Sequence, residues 1–171
     1  EEFARASAWS SDENVAMAPM LATLRREAEA LSHGRHAVTV SDTAQVDLCG
    51  STKELHSAFS NLVSNAVRYT PAPGRVVIGA RAAENGEGEL FVRDTGIGIA
   101  PEHLPRLTER FYRVDRARSR DRGGTGLGLA IVNHVAQRHE ARLLIDSAPG
   151  KGSEFRLRFP SGRWREGEAV K

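Results

Sequence analysis

The sequence predicts an α/β fold: a two-layer sandwich with helices packed on one face of a mixed β-sheet. Three observations carry this. Amphipathic helical stretches alternate along the chain with short runs of alternating apolar and polar residues. Near the middle, two strand patterns flank a turn signal, as a hairpin requires. Two further strand patterns close the domain around Pro149-Gly150-Lys151-Gly152.

Taken in order, Val15 to Leu31 reads as an amphipathic helix, apolar at positions 17, 20, 21, 24, 28 and 31, with Pro19 in its first turn. HAVTV (36–40) alternates as a strand, and VDLCG (46–50) is a possible second one. Ser51 or Thr52 caps a helix that runs to Tyr69, with Leu55, Phe59, Leu62, Val63 and Ala66 on one face. Pro71 and Pro73 stop it. RVVIGARAA (75–83) and ELFVRD (89–94) flank the turn NGEG (85–88). From Pro101 to Gly124 the pattern weakens into short helical pieces and an arginine-rich loop. Leu127 to His139 is a helix, and ARLLIDS (141–147) and SEFRLRFP (153–160) are the closing strands. Residues 1–14 read as a linker, the tail of a preceding helix or a cloning remnant, and residues 161–171 as a disordered tail. That leaves 15–160 as one domain.

At 171 residues the chain is long enough to bury a sizeable core, and 27% charged residues place it in the soluble globular class. No apolar run approaches membrane-spanning length, so any membrane attachment would come through parts of a parent protein outside this chain. Cys49 is alone, which excludes a disulfide framework and a cysteine metal site. Net charge is only +2, but between Arg106 and Arg122 seven arginines face three acids. A nucleic-acid partner is disfavoured, because no aromatic stacking series or DNA-reading pattern accompanies these arginines. A compact polyphosphate held by a basic loop explains their place directly before a glycine run.

That run is GGTGLGLAIV, residues 123 to 132. Bare backbone costs stability, so glycines in alternation suggest a ligand pressed against the main chain. A P-loop would need lysine where Leu129 stands, and a G-x-G-x-x-G fingerprint started at Gly124 or Gly126 ends on Leu129 or Ile131. Both fail. What remains is a glycine loop opening a helix, where free N–H groups favour an anion. Three other segments stand out: Asp94-Thr95-Gly96-Ile97-Gly98-Ile99 after a strand, Asn61 to Tyr69 with Asn61, Asn65 and Arg68 on one helix face, and Glu109-Arg110-Phe111-Tyr112-Arg113. Singly, these read as a turn, as surface polar residues and as a solvated loop.

In this order and spacing the four segments resemble the N, G1, F and G2 boxes of the sensor histidine kinase catalytic domain. That family shares its ATP-binding (Bergerat) fold with Hsp90, DNA gyrase B and MutL. The resemblance covers roughly Val15 to Pro160. A narrower likeness, in LHSAFSNLVSNAVRYTP, APEHLPRLTERFYRVDRARSR and GGTGLGLAIVNHV, is to the phosphate-regulon sensor kinases of proteobacteria.

The resemblance implies ATP and Mg²⁺ as cofactors. Asp94 would accept a hydrogen bond from the exocyclic amine of adenine, which guanine's carbonyl cannot offer. Gly96, Gly98 and Ile99 would line the base and sugar. Asn65 would ligate Mg²⁺ through its amide oxygen, with Asn61 a second polar residue about the metal's water shell. Arg68 would point at the phosphates and Tyr69 would pack near the nucleotide. Phe111 would anchor a mobile lid from which Tyr112 and Arg113 approach, Arg113 against the γ-phosphate. Gly124, Thr125, Gly126, Leu127 and Gly128 would accommodate the triphosphate. Asn65, Arg68 and Arg113 are the implied catalytic residues.

Two features discriminate within the group. The self-contained ATPases of this fold place a water-activating glutamate where Asn61 stands, and an amide is no base near neutral pH. None of the six histidines, at 33, 36, 56, 103, 134 and 139, sits in the family's acceptor context, and they read as surface or lid residues. The implied partners are therefore a histidine-bearing dimerisation domain of the same parent kinase and a PhoB-like response regulator. This chain would be a cytoplasmic domain of an inner-membrane protein, itself a monomer. An anti-sigma-factor-type serine kinase and a non-catalytic ATP-sensing module are the alternatives.

Overall fold

The computed structural model describes residues 12–42, 46–97 and 128–166. The described elements are β1 (Glu13–Ala16), α1 (Met17–Ser32), β2 (His36–Asp42), β3 (Val46–Gly50), α2 (Thr52–Arg68), β4 (Gly74–Ala82), β5 (Gly88–Asp94), α3 (Gly128–Arg138), β6 (Arg142–Ala148), β7 (Gly152–Phe159) and β8 (Trp164–Glu166).

Five strands form the main sheet in the order β2-β4-β5-β7-β6. β2 and β4 run parallel, the return passing through β3 and α2, and the other neighbours are antiparallel. The sheet is therefore mixed, as expected. Its period-2 alternation sorts the two faces. Val76, Ile78, Leu90, Val92, Leu157 and Phe159 point to one core together with Leu21, Leu24, Phe59, Leu62 and Val63 of the helices. The other face carries Arg81, Glu89, Arg93, Glu154, Arg156 and Arg158 in a network of ion pairs. Phe91 is buried there beneath Arg81, whose guanidinium lies 4.3 Å from the ring centroid.

α2 forms where its signals predict. The Ser51 side chain accepts a hydrogen bond from the Glu54 amide at 3.2 Å, so Ser51, not Thr52, is the cap. Leu55, Phe59, Leu62, Val63 and Ala66 are all buried. α1 differs from expectation at both ends. Val15 belongs to β1, and the helix starts at Met17, because a proline lacking N–H is harmless only within the first turn. At the far end Leu31 is 42% exposed, while Ser32 is buried and bonds His36 instead.

A second, three-stranded sheet, β1-β3-β8, was not expected. It takes in residues assigned in sequence to a linker and a tail. β1 pairs antiparallel with β3, as does β8, whose Trp164 is 5% exposed and lies over Gly88, where no Cβ would fit. The tail reading therefore fails for 164–166, since burial of an indole outweighs the polar composition around it. Residues 167–171 lie outside the described residues.

His139 is a further correction. It is 2% exposed rather than on the surface. Its Nδ1 meets the Val135 carbonyl at 2.8 Å, and its Nε2 accepts from the Ser51 amide at 3.1 Å. The ring thus ties the end of α3 to the start of α2, helped by Arg138 to Glu54 at 2.8 Å.

Candidate nucleotide-binding site

The site is built where the last turn of α2 meets the end of β5. β5 delivers Asp94 on the core side of the sheet, and the chain then turns through Thr95 and Gly96. The Gly96 amide donates to Asp94 Oδ1 at 2.8 Å. A Cβ at Gly96 would stand 2.5 Å from the Tyr69 carbonyl, 2.8 Å from Asp94 Oδ1 and 2.9 Å from Thr70 Oγ1. Only glycine lets the chain pass so close to both the carboxyl and the end of α2.

Backbone bonds clamp this junction from several sides. The Ile97 amide donates to Tyr69 O, and the Ile97 carbonyl accepts from Gly150 in the β6–β7 turn at 2.7 Å. Thr95 exchanges bonds with Arg75 at the start of β4, its amide to the Arg75 carbonyl and its hydroxyl accepting from the Arg75 amide. Asp94 therefore sits on rigid elements.

Its electrostatics are unusual for an aspartate. Asp94 is 8% exposed. Burial pushes its pKa up to about 6, against the Gly96 and Ser153 amides and the nearby Thr70 hydroxyl, which pull it down. No cation among the described residues contributes. A buried acceptor lacking a cationic partner is open to a neutral donor, such as an amine on a base.

On α2, the Asn65 side chain is half-buried and makes no hydrogen bond to any described residue. Asn61, one turn earlier, donates from Nδ2 to the Ser57 carbonyl at 2.8 Å. That bond leaves its carbonyl oxygen for other partners. Arg68 is exposed and Tyr69 half-buried, each with interactions of its own. A neutral amide oxygen suits Mg²⁺, which dehydrates reluctantly and takes most of its shell from water and phosphate. Among the described residues no cluster of three His, Cys, Asp or Glu could hold a metal by itself. The donor set therefore fits a metal that arrives with a polyphosphate.

Of the residues singled out in sequence, the structure brings Tyr69, Asp94 and Gly96 together and places Asn61, Asn65 and Arg68 along the helix leading into that junction. Gly128 is the first described residue of α3. Gly98, Ile99, Phe111, Tyr112, Arg113, Gly124, Thr125, Gly126 and Leu127 lie outside the described residues. Sequence reasoning missed Thr70 and His36. Thr70 is 3% exposed and packs its methyl toward Gly74. His36 meets the Thr70 carbonyl at 2.6 Å through Nε2 and Ser32 Oγ at 2.8 Å through Nδ1. Thr70 directly follows Tyr69, and that adjacency was the available signal.

The fold is of the class seen in the ATP-binding domains of histidine kinases. Residues 50–163 match the family of histidine kinase-, DNA gyrase B-, and HSP90-like ATPases, and the chain belongs to that family. Among individual proteins, it is 56% identical over 155 residues to the phosphate regulon sensor protein PhoR of Pseudomonas aeruginosa, covering 90% of this chain and 35% of that protein. The chain spans about a third of the length of the curated relatives it matches. Two solved structures share the fold. The mycobacterial sensor histidine kinase MprB has a TM-score of 0.76 at 27% identity, over 87% of this chain and 97% of that one. Full-length ShkA in complex with AMPPNP has a TM-score of 0.78 at 25% identity, over 93% of this chain and 32% of that one.

Proposed function

We propose that this chain is the ATP-binding catalytic domain of a phosphate-regulon sensor histidine kinase. Its domain runs from β1 to β8, wider at both ends than the periodicity suggests. It binds Mg-ATP and presents the γ-phosphoryl group to a histidine on a separate dimerisation domain, for relay to a PhoB-like response regulator. The observation that carries the reading is the buried Asp94 carboxyl beside Gly96. It is a buried acceptor at a strand end, with no cation among the described residues to neutralise it.

The roles of the other residues follow from their chemistry. Asp94 takes the exocyclic amine of adenine, Gly96 gives the base room, and Tyr69 packs beside it. Asn65, with Asn61 nearby, would hold the Mg²⁺ that accompanies the phosphates, and the ion would supply charge neutralisation there. Arg68 and Arg113 stabilise charge on the transferring oxygens. Asn61 cannot abstract a proton from water, which favours transfer to an acceptor over hydrolysis. The arrangement belongs on the cytoplasmic side of a membrane-anchored parent, although no described helix of this chain is itself long and apolar enough to cross a membrane.

The test mixes this chain with labelled ATP, Mg²⁺ and the dimerisation domain of its parent. Acid-labile, base-stable label on the added domain is expected, with little on this chain alone. Efficient labelling of one of this chain's own histidines, or steady ATP hydrolysis without transfer, contradicts the reading.

A further inference from the structure

Thr70 Oγ1 is buried beside the Asp94 carboxyl, yet completes no well-formed hydrogen bond to any described residue. Buried polar groups are nearly always paired, so an orphan needs a reason. Glycine at position 74 leaves room for the Thr70 methyl, which lies 2.3 Å from where a Cβ there would stand. The Thr70 carbonyl is held by His36, whose ring is held in turn by Ser32. The preceding carbonyl, Tyr69 O, is held by Ile97. The hydroxyl and Asp94 Oδ1 both border the space a side chain at Gly96 would need, 2.9 and 2.8 Å from where its Cβ would stand.

We propose that Thr70 is a positioning residue of the nucleotide pocket: its hydroxyl donates to the Asp94 carboxylate and orients the oxygen that meets the base. The proposal rests on the nucleotide reading of this pocket and adds a residue to it. A donor at that place does two things. It favours the ionised carboxylate against the cost of burial. It also occupies lone pairs that would otherwise let the carboxyl rotate, leaving one acceptor direction for an amine. The other described charged groups around Asp94 do not take this role. Arg68 at the end of α2, Arg75 on β4 and Lys151 in the β6–β7 turn are exposed, and His36 reaches only the Thr70 carbonyl. None of them adds to the influences on Asp94.

The variants are Thr70→Val, which keeps the shape and loses the hydroxyl, and Thr70→Ser, which keeps the hydroxyl and loses the methyl against Gly74. The first readout is the Asp94 carboxyl ¹³C shift followed against pH in the nucleotide-free protein. In Thr70→Val its midpoint is expected to rise by about one pH unit, the size of one charge-assisted hydrogen bond. At pH 6 the ionised fraction then falls from about one half to about one tenth, and affinity for Mg-AMPPNP falls at least about fivefold. Thr70→Ser behaves as wild type in both. Thr70→Val is expected to fold, read from its melting profile, because it keeps the methyl packing beside Gly74.

A purely structural threonine gives the opposite order, with the serine variant the worse of the two. An unchanged carboxyl midpoint in Thr70→Val, with affinity within twofold of wild type, overturns the proposal. If instead Asp94→Asn binds the analogue as tightly as wild type, the nucleotide reading falls, while the midpoint in nucleotide-free protein still decides the role of Thr70.

Discussion

β5 carries two buried carboxyls five residues apart, Glu89 and Asp94, and the protein treats them in opposite ways. An odd spacing puts them on opposite faces of the strand. Glu89, on the outer face, has a side chain only 4% exposed. Burial pushes its pKa up, but Arg158 at 2.9 and 2.5 Å and Arg81 at 3.0 Å overcome that and leave it below the usual carboxylate range. Asp94, on the core face, receives two backbone amides and, among the described residues, no cation, and burial prevails. A carboxyl whose every oxygen is spoken for serves the fold. One kept buried without a counter-charge stores a cost that a ligand can relieve.

The contrast has consequences for stability that differ in sign. Glu89→Gln leaves Arg81 and Arg158 facing a neutral group, though both guanidiniums still reach solvent. A loss of about 2 kcal/mol is expected at pH 7, read from urea denaturation. Because the Glu89 pKa is lowered on folding, its contribution is present above the unfolded value near 4.5 and is lost as pH falls through the folded value. Asp94 behaves in reverse. Its folded pKa is raised, so its contribution is full below the unfolded 3.8 and disappears as pH rises through about 6. Keeping it ionised at pH 7 costs about 3 kcal/mol relative to the unfolded chain. Asp94→Asn is therefore expected to stabilise the nucleotide-free protein by about 1 kcal/mol at pH 7, the smaller figure reflecting imperfect bonding of the amide. That gain vanishes near pH 4. A destabilised Asp94→Asn would place Asp94 with Glu89 among structural carboxyls.

The same division separates what was legible in the sequence from what was not. α2 was readable because its cap, its apolar stripe and its terminating prolines are all local. The hairpin of β4 and β5 was readable for the same reason. β1 and β8 were not, being four and three residues long and existing only through pairing with β3. Trp164 over Gly88 and His139 against Ser51 are contacts across 76 and 88 positions of chain, which no local pattern announces. At the site, Asp94, Gly96 and Asn65 stood out through ordered motifs and a family resemblance. Thr70 did not, since a hydroxyl is recognised as orphaned only once its surroundings are in place.

The central claim is that Asp94 is the acceptor for adenine. Its most direct test is calorimetric titration of Mg-AMPPNP into wild type and Asp94→Asn between pH 5 and 7.5. An amine donor favours the ionised carboxyl, so wild type should bind one equivalent and weaken about tenfold per pH unit well below 6. Asp94→Asn should bind at least about tenfold more weakly at pH 7, or 1.4 kcal/mol, with no pH dependence in that range. Equal affinity of the two proteins at pH 7, or a wild-type profile that stays flat to pH 5, would contradict the account.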